Sequence, residues 1–268
     1  MLVSMPRLSL QFGCLAIVLL SPCAARASEC PSTRSEIATD RPDVTNSSLV
    51  VPTGSIQSEN GINTSRQSVG AGFDGSNSRL RFGVAPCLEL LVDIPGYVGR
   101  LSGTVDTGFT NVTPAVKWQL SALPEATSLS VVVGAGLPTG TPAIAGLGLQ
   151  PYLQLPWSHE LGGRWGFSGM FTSFFRPADF SNHQTTEATF AIENKITEKM
   201  SLFAEYVGDY PSRGASISLF NVGGGYLLSR TKQIDFHVAF GLNANSPSYI
   251  IGVGYSFRLD NVLNAAER

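Results

Sequence analysis

The chain has 268 residues, 18 Lys and Arg against 20 Asp and Glu, and a formal charge of −2, a balance that argues against nucleic acid or a broadly acidic partner. Charged residues make up 14%, few for a water-soluble chain, and glycine is abundant at 28 residues. The hydrophobic share of 43% is moderate, an average that conceals any alternation along the chain.

Arg7 precedes an apolar run from Leu8 to Leu20, and Ala25-Arg26-Ala27 supplies an A-x-A cleavage site. Residues 1–27 therefore read as a secretory signal peptide. The rival is a lipoprotein signal ending at Cys23, opposed by Pro22 where a small flexible residue is wanted. The run falls short of the roughly 20 residues a spanning helix needs, and no later stretch reaches that length. Membrane residence, if any, falls to strands. Once the signal is removed, Cys30 and Cys87 remain in an oxidising compartment, where a disulfide between them and two free thiols are both open.

Residues 28–53 show no periodicity and centre on Thr39-Asp40-Arg41-Pro42-Asp43. Opposite charges around a proline predict a rigid turn whose Arg41 bridges carboxylates or backbone carbonyls. Two readings stand: a solvated periplasmic arm, or a short plug in which Asp40, Arg41 and Asp43 dock on charged groups inside a barrel.

From residue 54 to 259 strand-like runs follow one another as a single domain. The clearest come last. Ile234, Phe236, Val238, Phe240 and Leu242 share one face, and Gln233, Asp235, His237, Ala239 and Gly241 the other. After a break at Asn245-Ser246-Pro247, Tyr249, Ile251, Val253, Tyr255, Phe257 and Leu259 oppose Ile250, Gly252, Gly254, Ser256 and Arg258. One face is bulky and apolar, the other small, polar or charged. At roughly 11 residues these runs suit a tilted membrane crossing better than a strand of a soluble sandwich. Similar outward sets upstream, from Ile56 and Ile62 through Leu80-Phe82-Val84 to Phe220-Val222-Tyr226, bring the total to roughly 12, the even number of a single-chain bacterial barrel. The expected class is thus all-β: a transmembrane antiparallel up-and-down barrel behind an irregular N-terminal arm, with residues 260–268 as a periplasmic tail.

The connections alternate in length. Long links are expected at Gln67 to Ser78, Gly99 to Asn111, Leu137 to Gly148, Pro177 to Gln184 and Asp209 to Ala215. Short turns fall at Ala85-Pro86, Leu161 to Gly163, Thr197 to Lys199 and Arg230 to Lys232, with two exceptions: Ala122 to Thr127 is long for a turn and Asn243 to Pro247 short for a loop. Such alternation by side is a barrel habit, with long loops outside the cell and tight turns in the periplasm. Trp118, Trp157, Trp165, Tyr206, Tyr226, Tyr249 and Phe257 fall at or near strand ends, where rings suit the headgroup level.

With the greasy faces toward lipid, the inner faces carry the charge. The lumen-lining candidates are Arg79, Arg81, Glu89, Asp93, Lys117, Glu193, Lys195, Glu205, Asp235, His237 and Arg258, with Phe174, Phe203 and Leu227 adding apolar inner surface. Mixed signs allow pairing across the lumen, which either braces it shut or leaves a narrow selective path. An enzyme would need more than Asp235 beside His237 on one face: there is no G-x-S-x-G, H-E-x-x-H, phosphate loop or Cys-x-x-Cys pair. No catalytic residue, metal or cofactor is assigned.

Thr39-Asp40-Arg41-Pro42-Asp43, then Val51-Pro52-Thr53-Gly54 with Gln57, Glu59 and Gly61, resemble the opening of the family named for the MetA pathway of phenol degradation. The end is similar as well, at Gly225-Tyr226-Leu227-Leu228, Gly241-Leu242-Asn243 and Gly254-Tyr255-Ser256-Phe257-Arg258. The resemblance implies a Gram-negative outer-membrane transporter whose partners are outer-membrane lipid, the barrel-assembly machinery and a small hydrophobic or aromatic solute. A structural barrel with a blocked lumen and a lipid-active enzyme are the alternatives. One departure is that Asp260 to Arg268 trail beyond Phe257, where such barrels tend to end on an aromatic.

Overall fold

A computed structural model describes residues 36–120, 123, 126–175 and 184–262 of the chain. The signal segment 1–27, Cys30, most of the links at 121–125 and 176–183, and the tail beyond 262 lie outside the described residues. Among those described, one antiparallel sheet of 15 strands closes on itself. In chain order these are β1 (Ile56–Gln67), β2 (Gly70–Gly75), β3 (Ser78–Ala85), β4 (Leu88–Ile94), β5 (Tyr97–Gly103), β6 (Gly108–Phe109), β7 (Thr113–Gln119) and β8 (Thr127–Gly136). A one-turn helix, α1 (Pro142–Ala145), is followed by β9 (Gln150–Gly162), β10 (Trp165–Phe175), β11 (Gln184–Lys195) and β12 (Met200–Pro211). The last are β13 (Ile217–Ser229), β14 (Lys232–Gly241) and β15 (Tyr249–Leu259).

Three pairs are single staves interrupted by a break of two or three residues: β2 runs into β3, β4 into β5 and β6 into β7, which leaves a barrel of 12 staves. The wall closes where β1 meets β15 in unbroken antiparallel register from Ile56↔Leu259 to Arg66↔Tyr249. Closure removes the sheet edges that an open ribbon would present.

The faces are distributed as the alternation predicts. Val253 is 46% exposed and Tyr255 38%, while the inward Arg81 and Lys117 are 0% exposed. Exposed apolar residues recur around the wall, among them Ile62, Leu90, Val133, Phe171, Ile192, Phe220 and Phe236. Trp157 packs on Phe167, and Phe171 on Phe190, across neighbouring outward positions. An apolar patch of this extent is stable against hydrocarbon, not water. The interior of the fold is polar and the exterior greasy, the inverse of a soluble domain.

Two expected loops are partly strand. The Gln67 to Ser78 link contains β2, paired with β1 from Ile62↔Gly75 to Gln67↔Gly70, and the Gly99 to Asn111 link contains the end of β5 and β6. Gly70, Gly72, Gly75, Gly99 and Gly103 remove the side chains that would have shown alternation there. At Gly99 a Cβ would lie 2.2 Å from the Phe73 ring, so that glycine is what lets the Phe73 and Tyr97 rings pack. Cys87, in the β3–β4 turn, is disulfide-bonded, its partner being outside the described residues.

In lipid vesicles, Val253→Arg or Phe236→Arg should destabilise the barrel by about 2–4 kcal/mol, the scale for an arginine near the bilayer midplane. Phe236→Leu should leave it nearly unchanged. Denaturant titration followed by tryptophan fluorescence measures both.

Candidate functional site

Residues 36–55 lie inside the barrel and follow its wall. The backbone amide of Ile37 donates to the carbonyl of Arg230 at 2.7 Å. The carbonyl of Ala38 accepts from Gln57 and Arg81, and Gln233 donates to the Thr39 hydroxyl. Further on, Asn46 donates to Gln154 of β9, and the Ser48 hydroxyl joins those of Ser128 and Ser158. Val50 N–H donates to Gln119 of β7 at 3.1 Å and Val51 N–H to Glu89 of β4 at 2.6 Å. Gly54 and Ser55 then pair with Gly83 of β3, and the chain turns into β1. A Cβ at Gly83 would sit 2.1 Å from the Pro52 carbonyl oxygen, so glycine is what allows the arm this close to the wall. Between Ala38 and Val51 the segment has no period because its backbone bonds to the wall go to side chains rather than to a neighbouring strand.

Asp40 is the electrostatic centre. Its carboxylate lies 3.0 Å from Arg79, 3.2 Å from Arg81 and 3.4 Å from Lys117. Arg81 also reaches Glu59 at 2.9 Å and Glu89 at 3.0 Å, and Arg79 grips Asp93 at 2.6 Å. Register explains the convergence: Arg81 faces Gln57 on β1, and Glu89 faces Lys117 on β7. Burial on its own would raise the Asp40 carboxyl, but Arg81, Lys117 and Arg79 outweigh it and hold the group below the usual carboxylate range.

Glu205 on β12 is the second anchor. It accepts from the Val44 and Thr45 amides, the Thr45 hydroxyl and the Asn221 amide, all within 3.1 Å. Asp43, beside it, has a harder place. Burial and then the carboxylates of Glu205 and Glu193 push its carboxyl well above the usual range.

Arg41 crosses to the other side of the lumen. Its Nη2 lies 3.3 Å from Asp235 Oδ1 and donates to the Val253 carbonyl at 3.4 Å. The guanidinium fills a slot over two glycines that face each other, Gly61 on β1 and Gly254 on β15, where a Cβ would come within 2.2 and 2.6 Å of it. Asp235 and His237, expected as possible partners of one another, are not paired. Asp235 binds Arg41, while His237 meets Asn221 at 3.1 Å and Asn63 at 3.3 Å. The arm supplies a cation to the acid, and the amides of β1 and β13 occupy the imidazole.

Between the arm and strands β9 to β14, at the end with the short turns, lies a cavity of about 390 Å³. Glu193 and Lys195 line it, together with Arg41, Asp43, Phe203 and Leu227. Arg258 sits at the same end, donating to Asp260 and to the Glu36 carbonyl. Two apolar clusters occupy the inner wall. Leu91, Ala115, Val132 and Tyr152 form one, packed by Phe174, and Val207, Leu219 and Ala239 the other, packed by Val44, Ile217 and Ile250.

The residues not foreseen are uncharged: Gln57, Gln119, Gln154, Ser130, Thr189 and Asn221, all buried. Each stands at an inward position of its strand. Their parity was a signal, but a docking segment had to be known before it meant a contact.

A lipid-compatible exterior around an interior occupied by the chain's own N-terminal segment defines a transmembrane-type β-barrel with an internal arm. Residues 39–259 match the profile of a family whose description reads "Putative MetA-pathway of phenol degradation", and the chain belongs to that family. The fold is similar to that of an outer membrane channel from Pseudomonas putida F1, with a TM-score of 0.56 at 14% identity over 82% of this chain and 99% of that one. The NanC porin gives 0.55 at 8% identity, over 76% and 100% of the two chains, and the KdgM porin 0.51 at 10%, over 76% and 98%. No curated protein matches the sequence.

Arg81→Met leaves Asp40, Glu59 and Glu89 under-compensated in a dry interior and should destabilise the folded barrel by about 3–5 kcal/mol, read by thermal unfolding in detergent. The two arm acids should respond to pH with opposite sign. Asp40, depressed, stabilises docking above its ordinary pKa and loses that contribution as pH falls toward its folded value. Asp43, raised, opposes docking increasingly as pH rises from the ordinary carboxylate range toward its folded value. At pH 7, Asp43→Asn should therefore make the arm more resistant to proteolysis and Asp40→Asn less.

Proposed function

We propose that the protein is a channel of the Gram-negative outer membrane for small apolar or aromatic molecules, with residues 28–53 as a built-in constriction. One observation carries the reading. Many of the buried polar groups of the inner wall are engaged by the arm, which leaves the apolar cluster of Leu91, Ala115, Val132 and Tyr152, with Phe174, as the contrasting inner surface. Along such a path an ion would meet few free partners, whereas an uncharged ring finds Tyr152, Phe174, Phe203 and Leu227. The charged candidates Arg79, Arg81, Glu89, Lys117, Glu205 and Asp235 act in this scheme as anchors for the arm, with Asp93 holding Arg79 in place. Glu193, Lys195 and Arg258 guard the short-turn mouth.

Membership of the family and the likeness to outer membrane channels and porins support the outer membrane as the location. Export by the 1–27 signal and delivery by the assembly machinery belong to the same proposal. The extent of arm-to-wall bonding favours one competing reading, a structural barrel whose lumen stays shut. An enzymatic role draws no support from Asp235 and His237, which are bound to separate partners.

Planar-bilayer recordings separate the first two. Deletion of residues 28–53 should raise single-channel conductance several-fold, and proteoliposomes of the intact protein should admit phenol-sized neutral solutes faster than sugars of similar mass. Absence of conductance in both forms would favour the structural barrel.

A further inference from the structure

We infer that residues 36–41 clamp the barrel shut from inside, stapling the first strand to the last, a role separate from narrowing the lumen. Apart from the Asp40 carboxylate and the Arg81 bond to the Ala38 carbonyl, which engage β3 and β7, the contacts of this hexapeptide with the wall fall on both sides of the β1–β15 seam. On the β1 side, Gln57 donates to the Ala38 carbonyl at 2.8 Å and the Asp40 amide donates to Glu59 at 2.8 Å. On the other, Arg258 of β15 donates to the Glu36 carbonyl at 3.0 Å, and Arg41 reaches the Val253 carbonyl of β15 and Asp235 of β14. Gln233 of β14 holds Thr39, and the Ile37 amide holds the turn before β14 through Arg230.

The Arg41 slot makes the bridging specific. Gly61 and Gly254 are register partners across the seam itself, so the guanidinium lies flat on the β1–β15 pairing. A second staple sits at the short-turn end, where Ser55, the residue before β1, donates to Asp260, the residue after β15, at 2.9 Å, and Asp260 is gripped by Arg258 at 2.7 Å.

Closing a barrel joins the two strands most distant in sequence, and the entropy of that loop opposes it more than any hairpin. Segment 36–41 is covalently continuous with β1, so it presents ligands for β14 and β15 at high effective concentration once β1 is in place. The seam therefore gains side-chain bonds in addition to its own ladder.

The test uses the full-length protein folded in detergent and reads the temperature at which the folded form, which migrates fast on an SDS gel, converts to the slow unfolded form. Arg41→Ala should lower that temperature by several degrees, and Gln233→Ala by less. A disulfide across the seam, Ser58→Cys with Phe257→Cys, should restore it in the Arg41→Ala background. A control disulfide at register partners on β12 and β13, Tyr206→Cys with Phe220→Cys, should not. Should Arg41→Ala fail to fold, the seam disulfide should recover folded protein and the control should not. An unchanged transition temperature, or equal rescue by both disulfides, overturns the inference. Conductance plays no part in this readout, so the clamp and the channel reading stand or fall separately.

Discussion

The carboxylate of Asp40 among Arg79, Arg81 and Lys117 is the interaction on which the rest of the interior depends. Wholly buried cations are tolerable only where good geometry and further bonds offset lost hydration. The wall meets part of that demand with Glu59, Glu89 and Asp93. The arm adds Asp40, and its carbonyls at Ala38 and Leu49 complete the donors of Arg81. The arm is therefore part of the electrostatic balance of the barrel, and the strands that bear the cations are shaped for its presence.

This arrangement divides the lumen by chemistry. Around the arm most hydroxyls, amides and charges meet a partner, while Arg41 Nε, Gln57 Oε1, Gln119 Nε2 and Asp235 Oδ2 are buried without one among the described residues. Away from it, Leu91, Val132, Tyr152 and Phe174 form an apolar patch of the inner wall, while Val44 of the arm itself packs on Val207, Leu219 and Ala239. Alternation alone would make the interior look like that of a general porin. Its effective polarity is lower, because many of its polar groups are already taken.

How much of this could be read from the chain varies by region. The 232–259 hairpin was fully legible, since Ile234 to Leu242 and Tyr249 to Leu259 keep strict parity and the outward members are bulky. The staves β2 to β3 and β4 to β5 were only half legible, because runs of glycine between Gly70 and Gly108 erase the pattern while leaving the backbone free to pair. In the arm, the charges at Asp40 and Arg41 left a solvated arm and a docked plug both open; in the structure Asp40 lies beside Arg79, Arg81 and Lys117, and Arg41 beside Asp235. Asp43 stands instead near two acids, an arrangement no spacing in the sequence announces. The partners Gln119, Gln154, Thr189 and Asn221 were hidden for another reason. A neutral inward residue looks the same whether it meets water, a solute or a peptide.

Ser55 passes directly into β1, and Gly83 leaves room for the Pro52 carbonyl because it has no side chain. The lodger and its housing are thus written into one uninterrupted reading frame and must drift together through evolution. A bulkier residue at Gly61, Gly83 or Gly254 would evict a segment dozens or hundreds of positions away. Chimeras that exchange barrels between relatives should accordingly be cut before the arm rather than after it.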